Sequence, residues 1–340
     1  MSDRARQGGM EPLERDDFVA GVLMSAHPPI WRHPNKQVVF DLACPPGATH
    51  GGRLAYSRWS VMSSPDAFEP ARALDLVSVR PGFFDYVPAL DAPPGIDWHV
   101  NFADPHLFVA YGSSLFAQDE IQVAEHPALG ALREALVSSG RRALTVDGGV
   151  PTLILVMGAE RRCHVATAPN PAAGNPGGLY GNAFARASAE TVARSTTRID
   201  PPTITNLIAM SAPAGGQGHY SVGELEWVLA SAFTGFRAAV LESWRERGDA
   251  AAVAIHTGYW GCGAFGGNRV VMALLQVSAA EMAGIDQLVF HVGATSGRGP
   301  LDEALEILRT DLLSPGFAET RTFIARIASM GFEWGVSDGN

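Results

Sequence analysis

The stretch HTGYWGCGAFGG, residues 256–267, is the densest run of glycine in the chain, and its interpretation decides the fold. It contains a Gly-x-Gly-x-x-Gly pattern at Gly261, Gly263 and Gly266, between an apolar run, AAVAIH, and a helical pattern, NRVVMALLQ. A strand, a glycine loop and a helix in this order direct free backbone N–H groups and the positive end of a helix dipole at one point, which suits a pyrophosphate. The stretch therefore predicts a phosphate-binding loop, with a tight turn that binds nothing as the alternative.

A Rossmann dinucleotide site is a weaker interpretation of the same glycines. That fold requires an acidic residue at the carboxyl end of the next strand, where it holds the ribose hydroxyls. Here the acid at about the right distance, Asp286, precedes the apolar run QLVFHV instead of following it. The glycine pattern also lies near the end of the chain and does not open a βαβ series, so we do not expect a Rossmann fold.

The pattern of apolar residues predicts a layered α/β domain from Asp97 onward, because strand-like runs alternate with amphipathic helical patterns there. The strand-like runs are WHVNFA, PTLILVMG, CHVAT, TNLIAM, AAVAIH and QLVFHV. The helical patterns cover residues 120–140, 221–247 and 268–284, and two further amphipathic patterns, LDEALEILRTDLL and ETRTFIARIASM, follow near the end. Residues 1–97 are interrupted by prolines and contain the helical pattern DDFVAGVLMSA and one strand-like run, QVVFDL, so we expect an irregular or helical accessory region.

Composition and charge argue against several functional classes. The chain has 340 residues, of which 46% are hydrophobic, as expected for a globular protein. A net charge of -10 without any basic run argues against direct binding of nucleic acid. The sequence also predicts no membrane segment and a cytoplasmic location, because it shows neither a long apolar stretch nor a signal-peptide core. The scattered Cys44, Cys163 and Cys262, without a histidine pair at metal-ligand spacing, predict a reducing compartment, no metal site and no cofactor.

Two segments resemble one protein family. TGYWGCGAFGG closely resembles the TGNWGCGAFGG loop of the poly(ADP-ribose) glycohydrolases, which cradles the diphosphate of ADP-ribose on a macrodomain fold; only Tyr259, an Asn in the family, differs. Residues 100–129 resemble the family's Val-Asp-Phe-Ala-Asn segment and its Gln-Glu-Glu catalytic signature, with the expected 15 positions between Ala103 and Gln118. The resemblance implies an α/β macrodomain, a mixed sheet sandwiched by helices, over residues 98–340, preceded by the accessory region 1–97.

The resemblance implies a hydrolase that cleaves a ribosyl bond in an ADP-ribose-containing or NAD-derived substrate. In such an enzyme Glu120 donates a proton and later acts as the base, Asp119 matches the family's first Glu, and Gln118 orients both. The chemistry requires a carboxyl group that is protonated near neutral pH, which the apolar segment SLFA before Gln118 favours. Two acids in a first helical turn can also merely complement the helix dipole, and this alternative remains open.

The implied ligand-binding residues lie in the two motifs and in one loop between them. They are Asp104, Gln118, Tyr180, Tyr259, Gly261, Cys262, Gly263, Ala264, Phe265, Gly266 and Gly267. We expect main-chain amides of residues 261–267 to hold the diphosphate, so that bulk at Gly266 or Gly267 abolishes binding. Tyr180 either lies over the ligand or faces solvent from its loop. Cys262, at a helix start, has the position of an activated thiol, but the resemblance makes it a packing residue.

The sequence departs from the family's pattern at both ends of the implied ligand. The family's three consecutive glycines beside the catalytic acid fall at Phe108, Val109 and Ala110, which we expect to add volume where the distal ribose lies. Its ribose-binding Asn falls at Asp104, and its adenine-stacking Phe falls at Val292. We therefore expect long polymer to be a poor substrate. A small ADP-ribosyl or NAD-type substrate, and a module that binds ADP-ribose without cleaving it, remain alternatives.

Overall fold

The computed structural model of the protein describes residues 10–90, 95–293, 297–310 and 318–339. The strands are β1 (Glu14–Val19), β2 (Arg53–Ser60), β3 (Ala67–Phe68), β4 (Val77–Arg80), β5 (Gly95–Phe102), β6 (Val146–Asp147), β7 (Val150–Val165), β8 (Thr196–Met210), β9 (Ala252–Thr257), β10 (Gln287–His291) and β11 (Ala318–Glu319). The helices are α1 (Ala20–Ala26), α2 (Pro34–Ala43), α3 (Pro70–Asp75), α4 (Gln118–Glu125), α5 (Pro127–Ser138), α6 (Ala183–Arg186), α7 (Ala189–Ser195), α8 (Val222–Arg247), α9 (Arg269–Ala283), α10 (Arg298–Thr310) and α11 (Thr320–Ser329). Among these residues, none of the helices combines the length and the apolar character needed to cross a bilayer.

A mixed sheet forms the centre of the molecule. Its described strands lie in the order β1-β2-β7-β8-β5-β9-β10-β4, and β6 pairs with β7. The strands β8, β5, β9, β10 and β4 are parallel, whereas β1, β2, β7 and β8 pair antiparallel. Because the carboxyl ends of parallel strands meet at one edge of a sheet, the segments that follow β5, β9 and β10 come together there.

Helices cover both faces of the sheet. Along β8, Ile208 and Met210 belong to one apolar cluster, and the alternating Leu207 and Ala209 belong to another, so the two clusters lie on opposite faces. The first cluster is completed by α8, α9 and α10, and the second by α1 and α5. This arrangement confirms the predicted mixed sheet sandwiched by helices.

The helix before β9 and the helix after the glycine loop both begin close to where the sequence predicts. Helix α8 begins after Ser221, whose Oγ accepts from the Glu224 N–H at 3.3 Å while the Glu224 carboxylate accepts from the Ser221 N–H at 2.8 Å. This pair is a capping box. Helix α9 begins after Asn268, whose Oδ1 accepts from the Val270 N–H at 3.0 Å, so its amino terminus faces the glycine loop.

The amino-terminal residues differ from the expectation. The run QVVFDL is part of helix α2 and not a strand, because Pro34 occupies the first helical turn and His33 Nδ1 accepts from the Asn35 N–H at 3.3 Å. Strands β1, β2 and β4 join the central sheet, so the described part of residues 1–97 is not merely irregular or helical. The predicted domain boundary between residues 97 and 98 falls inside β5. The division of the chain into two domains stays a prediction.

Two strand-like runs predicted separately belong to one strand, and the two helices predicted near the end are present. PTLILVMG and the first three residues of CHVAT are parts of one 16-residue strand, β7, whose pairing with β8 shifts between Val156 and Ala159 and between Arg161 and Cys163. Such shifts break the alternation of apolar residues that would reveal one strand. The two amphipathic helices near the end are confirmed as α10 and α11, and residues 311–313 of the first pattern lie outside the described residues.

Candidate functional site

A cavity of about 530 Å³ lies at the carboxyl edge of β5, β9 and β10. The segments that follow these three strands line it, together with the start of α4. Most of the site residues predicted from the sequence are among its lining: Asp104, Gln118, Asp119, Glu120, Tyr180, Tyr259, Gly261, Cys262, Gly263, Ala264 and Phe265. Gly266 and Gly267 are not.

Two buried carboxyl groups lie at the amino terminus of α4. Glu120 is 3% exposed and Asp119 is 5% exposed. The Ala117 N–H donates to Glu120 Oε2 at 3.0 Å, which makes half of a capping box, because Ala117 has no side-chain acceptor. Asn101 Nδ2 donates to Asp119 Oδ1 at 3.0 Å. Each carboxyl group is therefore held by a neighbour on the chain segment that precedes the helix or on β5.

Gln118 joins this helix start to the central sheet. Its Oε1 accepts from the Phe102 N–H at 2.8 Å, and its Nε2 donates to the Val100 carbonyl at 3.0 Å. Both partners belong to β5. The side-chain amide is thus used in positioning α4 against the sheet, which supports the orienting role that the sequence predicts for it.

Burial dominates the electrostatics of the two acids. It raises the pKa of Glu120, and the nearby Lys36 charge acts in the opposite direction. Burial also raises the pKa of Asp119 well above its ordinary value, with the Glu120 charge adding to the effect and the hydrogen bond from Asn101 opposing it. A low-dielectric site disfavours the charged form of a carboxyl group, so both shifts have the direction that a proton donor requires.

Lys36, on α2, was missed by the sequence analysis although it is the only lysine in the chain. Its side chain is fully buried, and Nζ donates to the Tyr111 carbonyl at 2.6 Å and lies 5.1 Å from the centre of the Phe116 ring. Burial lowers the pKa of this ammonium group to about 8. The available signal was a single lysine in a chain whose other basic residues, apart from histidine, are arginines.

Backbone geometry requires a glycine at position 261 of the loop. Gly261 has a φ of 74°, in the left-handed region, and a Cβ placed on it would lie 2.4 Å from Ala212 Cβ. Within the loop, three amides are used internally: those of Cys262, Gly266 and Gly267 donate to the carbonyls of Tyr259, Gly263 and Gly261.

Four other amides of the loop make no hydrogen bond to protein within the described ranges: those of Gly261, Gly263, Ala264 and Phe265. All four residues line the cavity. These four amides are therefore available to bind an anion. They are only part of the set, residues 261–267, that the sequence predicts for this role.

Residues 335–338 cover the far side of the loop. A Cβ on Gly266 would lie 3.2 Å from both the Gly335 carbonyl oxygen and the Ser337 nitrogen. The Asp338 N–H donates to the Gly263 carbonyl at 3.4 Å, and Asp338 also lines the cavity. Bulk at Gly266 would therefore meet the carboxy-terminal segment, and the expectation that bulk at Gly266 or Gly267 abolishes binding stays a prediction.

Aromatic side chains line another part of the cavity. Tyr180 lies there and is 37% exposed, so its ring contacts both the cavity and solvent; it stacks on Phe83 with ring centres 6.2 Å apart. Phe83 and Phe84 come from residues 81–90, which the sequence analysis did not select. The position of the family's adenine-stacking Phe, Val292, also lines the cavity and is largely buried.

Tyr259 and Cys262 have structural contacts in the loop. The Tyr259 hydroxyl donates to the Gly297 carbonyl and accepts from the Leu301 N–H at 3.1 Å, which ties the loop to α10. Burial raises the pKa of the Cys262 thiol to about 12. A thiol is nucleophilic as its thiolate, so this environment agrees with a packing role for Cys262.

The side chains at the three positions where the family has glycines lie in different surroundings. Phe108 keeps a left-handed backbone, with a φ of 51°, and its ring is fully buried in the apolar cluster formed with α1 and α5. Val109 is 38% exposed, and only Ala110 lines the cavity. The prediction that Phe108 and Val109 add side-chain volume to the ligand site is therefore wrong, because neither residue lines the cavity. Asp104 lines the cavity and accepts from the His106 N–H at 2.8 Å.

One family model matches part of the chain. Residues 177–297 match the family model described as poly(ADP-ribose) glycohydrolase (PARG), macro domain fold. Over these residues the match confirms the predicted resemblance to the macrodomain of the poly(ADP-ribose) glycohydrolases, an enzyme family of the hydrolase class. The matched segment contains Tyr180 and the glycine loop, whereas residues 118–120 lie outside it. No curated protein sequence matches the chain.

Several solved structures are similar to the chain. The poly(ADP-ribose) glycohydrolase from Thermomonospora curvata is 14% identical, with a TM-score of 0.46, over 81% of this chain and 98% of that one. The same enzyme bound to the inhibitor ADP-HPD is 16% identical, with a TM-score of 0.47, over 82% and 100%. The enzyme from Deinococcus radiodurans in complex with ADP-ribose is 15% identical, with a TM-score of 0.40, over 73% and 94%.

Proposed function

We propose that this chain, whose residues 177–297 match the poly(ADP-ribose) glycohydrolase family model, hydrolyses the ribosyl bond of an ADP-ribosyl substrate with Glu120 as general acid and base. One observation carries the proposal. The same cavity is lined by the buried carboxyl groups at the start of α4 and by the four available amides of the glycine loop. Its volume of about 530 Å³ is in the range of pockets that hold one small ligand.

The glycine loop supplies the binding part of the site. A diphosphate would accept hydrogen bonds from the amides of Gly261, Gly263 and Ala264, and the amino terminus of α9 adds the positive end of its dipole. Arg269, the first residue of α9, also lines the cavity and adds a positive charge. These groups offset the negative net charge of the chain at this one place.

The acid pair supplies the chemistry. Glu120 transfers its proton to the leaving oxygen as the bond between that oxygen and the ribosyl carbon breaks, and the bonding electron pair leaves with the oxygen. The positive charge that develops on the ribosyl carbon is stabilised by the resulting Glu120 carboxylate, while Asp119 lies beside Glu120 in the same helical turn. Glu120 then takes a proton from the water that bonds to this carbon, so that one water is consumed and the acid is restored.

The test compares Glu120→Gln with the wild type. We expect release of ADP-ribose, followed by chromatography, to fall by about 10²- to 10⁴-fold, because general acid catalysis acts in the transition state. The affinity for ADP-ribose, measured by calorimetry, should change little, and Asp119→Asn should be milder. Glu224→Gln, a change in the capping box of α8, is the matched control. Undiminished release by Glu120→Gln would contradict the assignment.

A second candidate function is a module that binds ADP-ribose without cleaving it. The replacement of the family's Asn by Asp104 and of its third glycine by Ala110, both in the cavity lining, favours this candidate. It predicts that the wild type binds ADP-ribose and releases none from any substrate. Gly263→Val should remove binding under either function, since Gly263 lines the cavity and its amide is available.

A further inference from the structure

Three histidines lie side by side on adjacent parallel strands. His99 of β5 and His256 of β9 are register partners, and their rings stack with centres 4.3 Å apart. The ring of His291, on β10, lies 5.4 Å from that of His256. All three side chains are buried. The row therefore places three imidazole rings where little of their surface is exposed to solvent.

Hydrogen bonds determine which nitrogens of His256 and His291 carry hydrogen. His256 Nε2 lies 2.9 Å from Asp97 Oδ1, and a carboxylate only accepts, so Nε2 is the donor. His291 Nδ1 lies 3.1 Å from the Phe83 carbonyl, which also only accepts, so Nδ1 is the donor. In the neutral rings the two remaining nitrogens, His256 Nδ1 and His291 Nε2, are then both lone-pair acceptors.

These two acceptor nitrogens face each other at 3.1 Å. Two lone pairs at this distance repel, and either an extra proton or a cation between them removes the repulsion. For a Zn²⁺ ion bound at about 2.0–2.1 Å from each nitrogen, the N–Zn–N angle would be about 100°, which is close to a tetrahedral coordination angle. The pair is therefore already spaced as two ligands of one metal ion.

Asp85 offers a third ligand. One of its carboxylate oxygens and one ring nitrogen from each of His256 and His291 lie within 4.8 Å of one another. Arg80 Nη1 and the Val87 N–H both donate to Oδ1 of Asp85, each at 3.0 Å, and Oδ2 makes no hydrogen bond to the described residues. Because Asp85 is exposed, its side chain can close the remaining distance.

We propose that His256, His291 and Asp85 bind one divalent first-row transition metal ion of the Zn²⁺ type. Two imidazoles and one carboxylate are a ligand set that such ions favour over Mg²⁺ or Ca²⁺, which prefer oxygen ligands. In many such sites a carboxylate accepts a hydrogen bond from the metal-binding histidine and orients its ring. Asp97 has this position, because its Oδ1 accepts from His256 Nε2. A fourth position is left for water.

The metal would connect the segment of residues 81–90 to the central sheet. Asp85 belongs to that segment, and its neighbours Phe83 and Phe84 line the cavity, as does His291. Metal binding therefore holds part of the cavity wall in place. Short spacing in the sequence does not reveal this site, because 35 positions separate His256 from His291 and parallel strands bring them together.

The test uses the full chain after treatment with a chelator. Titration with Co²⁺ should produce visible absorption bands that saturate at one ion per chain, and Zn²⁺ should displace Co²⁺ and raise the melting temperature. Mg²⁺ at the same concentration should do neither. We expect Asp85→Asn to weaken Zn²⁺ binding at least about tenfold, and Asp97→Asn by about 10- to 100-fold. His219→Gln, at an exposed histidine, is the matched control and should bind as the wild type.

His291→Gln removes a buried ligand and should abolish uptake of Co²⁺, provided that circular dichroism shows a folded chain. If it does not fold, Asp85→Asn decides, because that exposed carboxyl group is not part of the core. The proposal is overturned if the wild type binds neither Co²⁺ nor Zn²⁺ at micromolar concentrations. It is also overturned if Asp85→Asn binds both ions as tightly as the wild type.

Discussion

At the scale of single residues, Lys36 opposes the effect of burial on the acid pair. Its charge lowers the pKa of Glu120, whereas desolvation raises it. A general acid must be protonated to act, so activity is lost as pH rises through its pKa. Any change that removes the Lys36 charge should therefore move this loss to higher pH.

Lys36→Gln tests that relation. The amide can still donate to the Tyr111 carbonyl, but the positive charge is gone. We expect the falling limb of kcat/KM, measured as ADP-ribose release across pH, to move to higher pH, because the pKa of Glu120 rises further. Lys36→Arg keeps a charge and should stay closer to the wild type. A limb that moves to lower pH in Lys36→Gln would contradict the role given to Lys36.

Phe108 combines two opposing contributions to stability. Truncation of a buried Phe costs about 3–5 kcal/mol, and a left-handed backbone at a residue other than glycine costs about 1–3 kcal/mol. Phe108→Gly should therefore lower the free energy of unfolding by about 2 kcal/mol, as measured by urea denaturation. Val109→Gly, at an exposed position, is the matched control, with an expected loss of less than about 1 kcal/mol. A Phe108→Gly variant more stable than the wild type would show that strain dominates.

At the scale of elements, residues 335–338 limit access of an anion to the glycine loop. Asp338 lines the same cavity as the four available amides, and its Oδ2 would lie 3.1 Å from a Cβ on Gly263. A carboxylate near a diphosphate repels it, the more so where water is partly excluded. The carboxy-terminal segment therefore opposes binding at the loop that it supports.

Asp338→Asn should consequently bind ADP-ribose more tightly than the wild type, by roughly threefold or more in calorimetry at low salt. The gain should shrink as salt is added, because salt screens an exposed charge. Asp302→Asn removes an exposed carboxylate on α10 outside the cavity lining and should leave the affinity unchanged. Equal affinities of Asp338→Asn and the wild type at low salt would show that the carboxylate does not face the ligand.

At the scale of the whole molecule, the cavity is bounded on several sides. The stacked Phe83 and Tyr180, Asp338 and the start of α4 all line a space of about 530 Å³. Ala110 adds a methyl group where the family has glycine. A ligand the size of one ADP-ribose unit fits such a pocket better than the interior of a long chain does.

We therefore expect small ADP-ribosyl conjugates or pyridine dinucleotides to be better substrates than long poly(ADP-ribose). The measurement is ADP-ribose release from polymer, mono-ADP-ribosyl conjugates and free dinucleotides at equal ADP-ribose content. Ala110→Gly should narrow the difference by improving cleavage of the polymer. Rapid release from polymer, with none from the small molecules, would refute this expectation.

The sequence alone determined the features whose physical causes are local. Left-handed glycines, a strand before them and a capped helix after them specify the loop of residues 256–267, since each depends on neighbours within a few positions. The same holds for the acids at the start of α4, which follow one apolar strand along the chain. Both motifs were located from residues alone, and the structure brings them to one cavity.

Only the tertiary structure decided which distant residues join these motifs. Lys36 and Asp338 reach the site from near the two ends of the chain, and the row of His99, His256 and His291 exists only because β5, β9 and β10 are neighbours. The direction of the Phe108 side chain likewise depends on the core it enters. Periodicity and local backbone preferences carry no information on such contacts, because packing of elements far apart in sequence determines them.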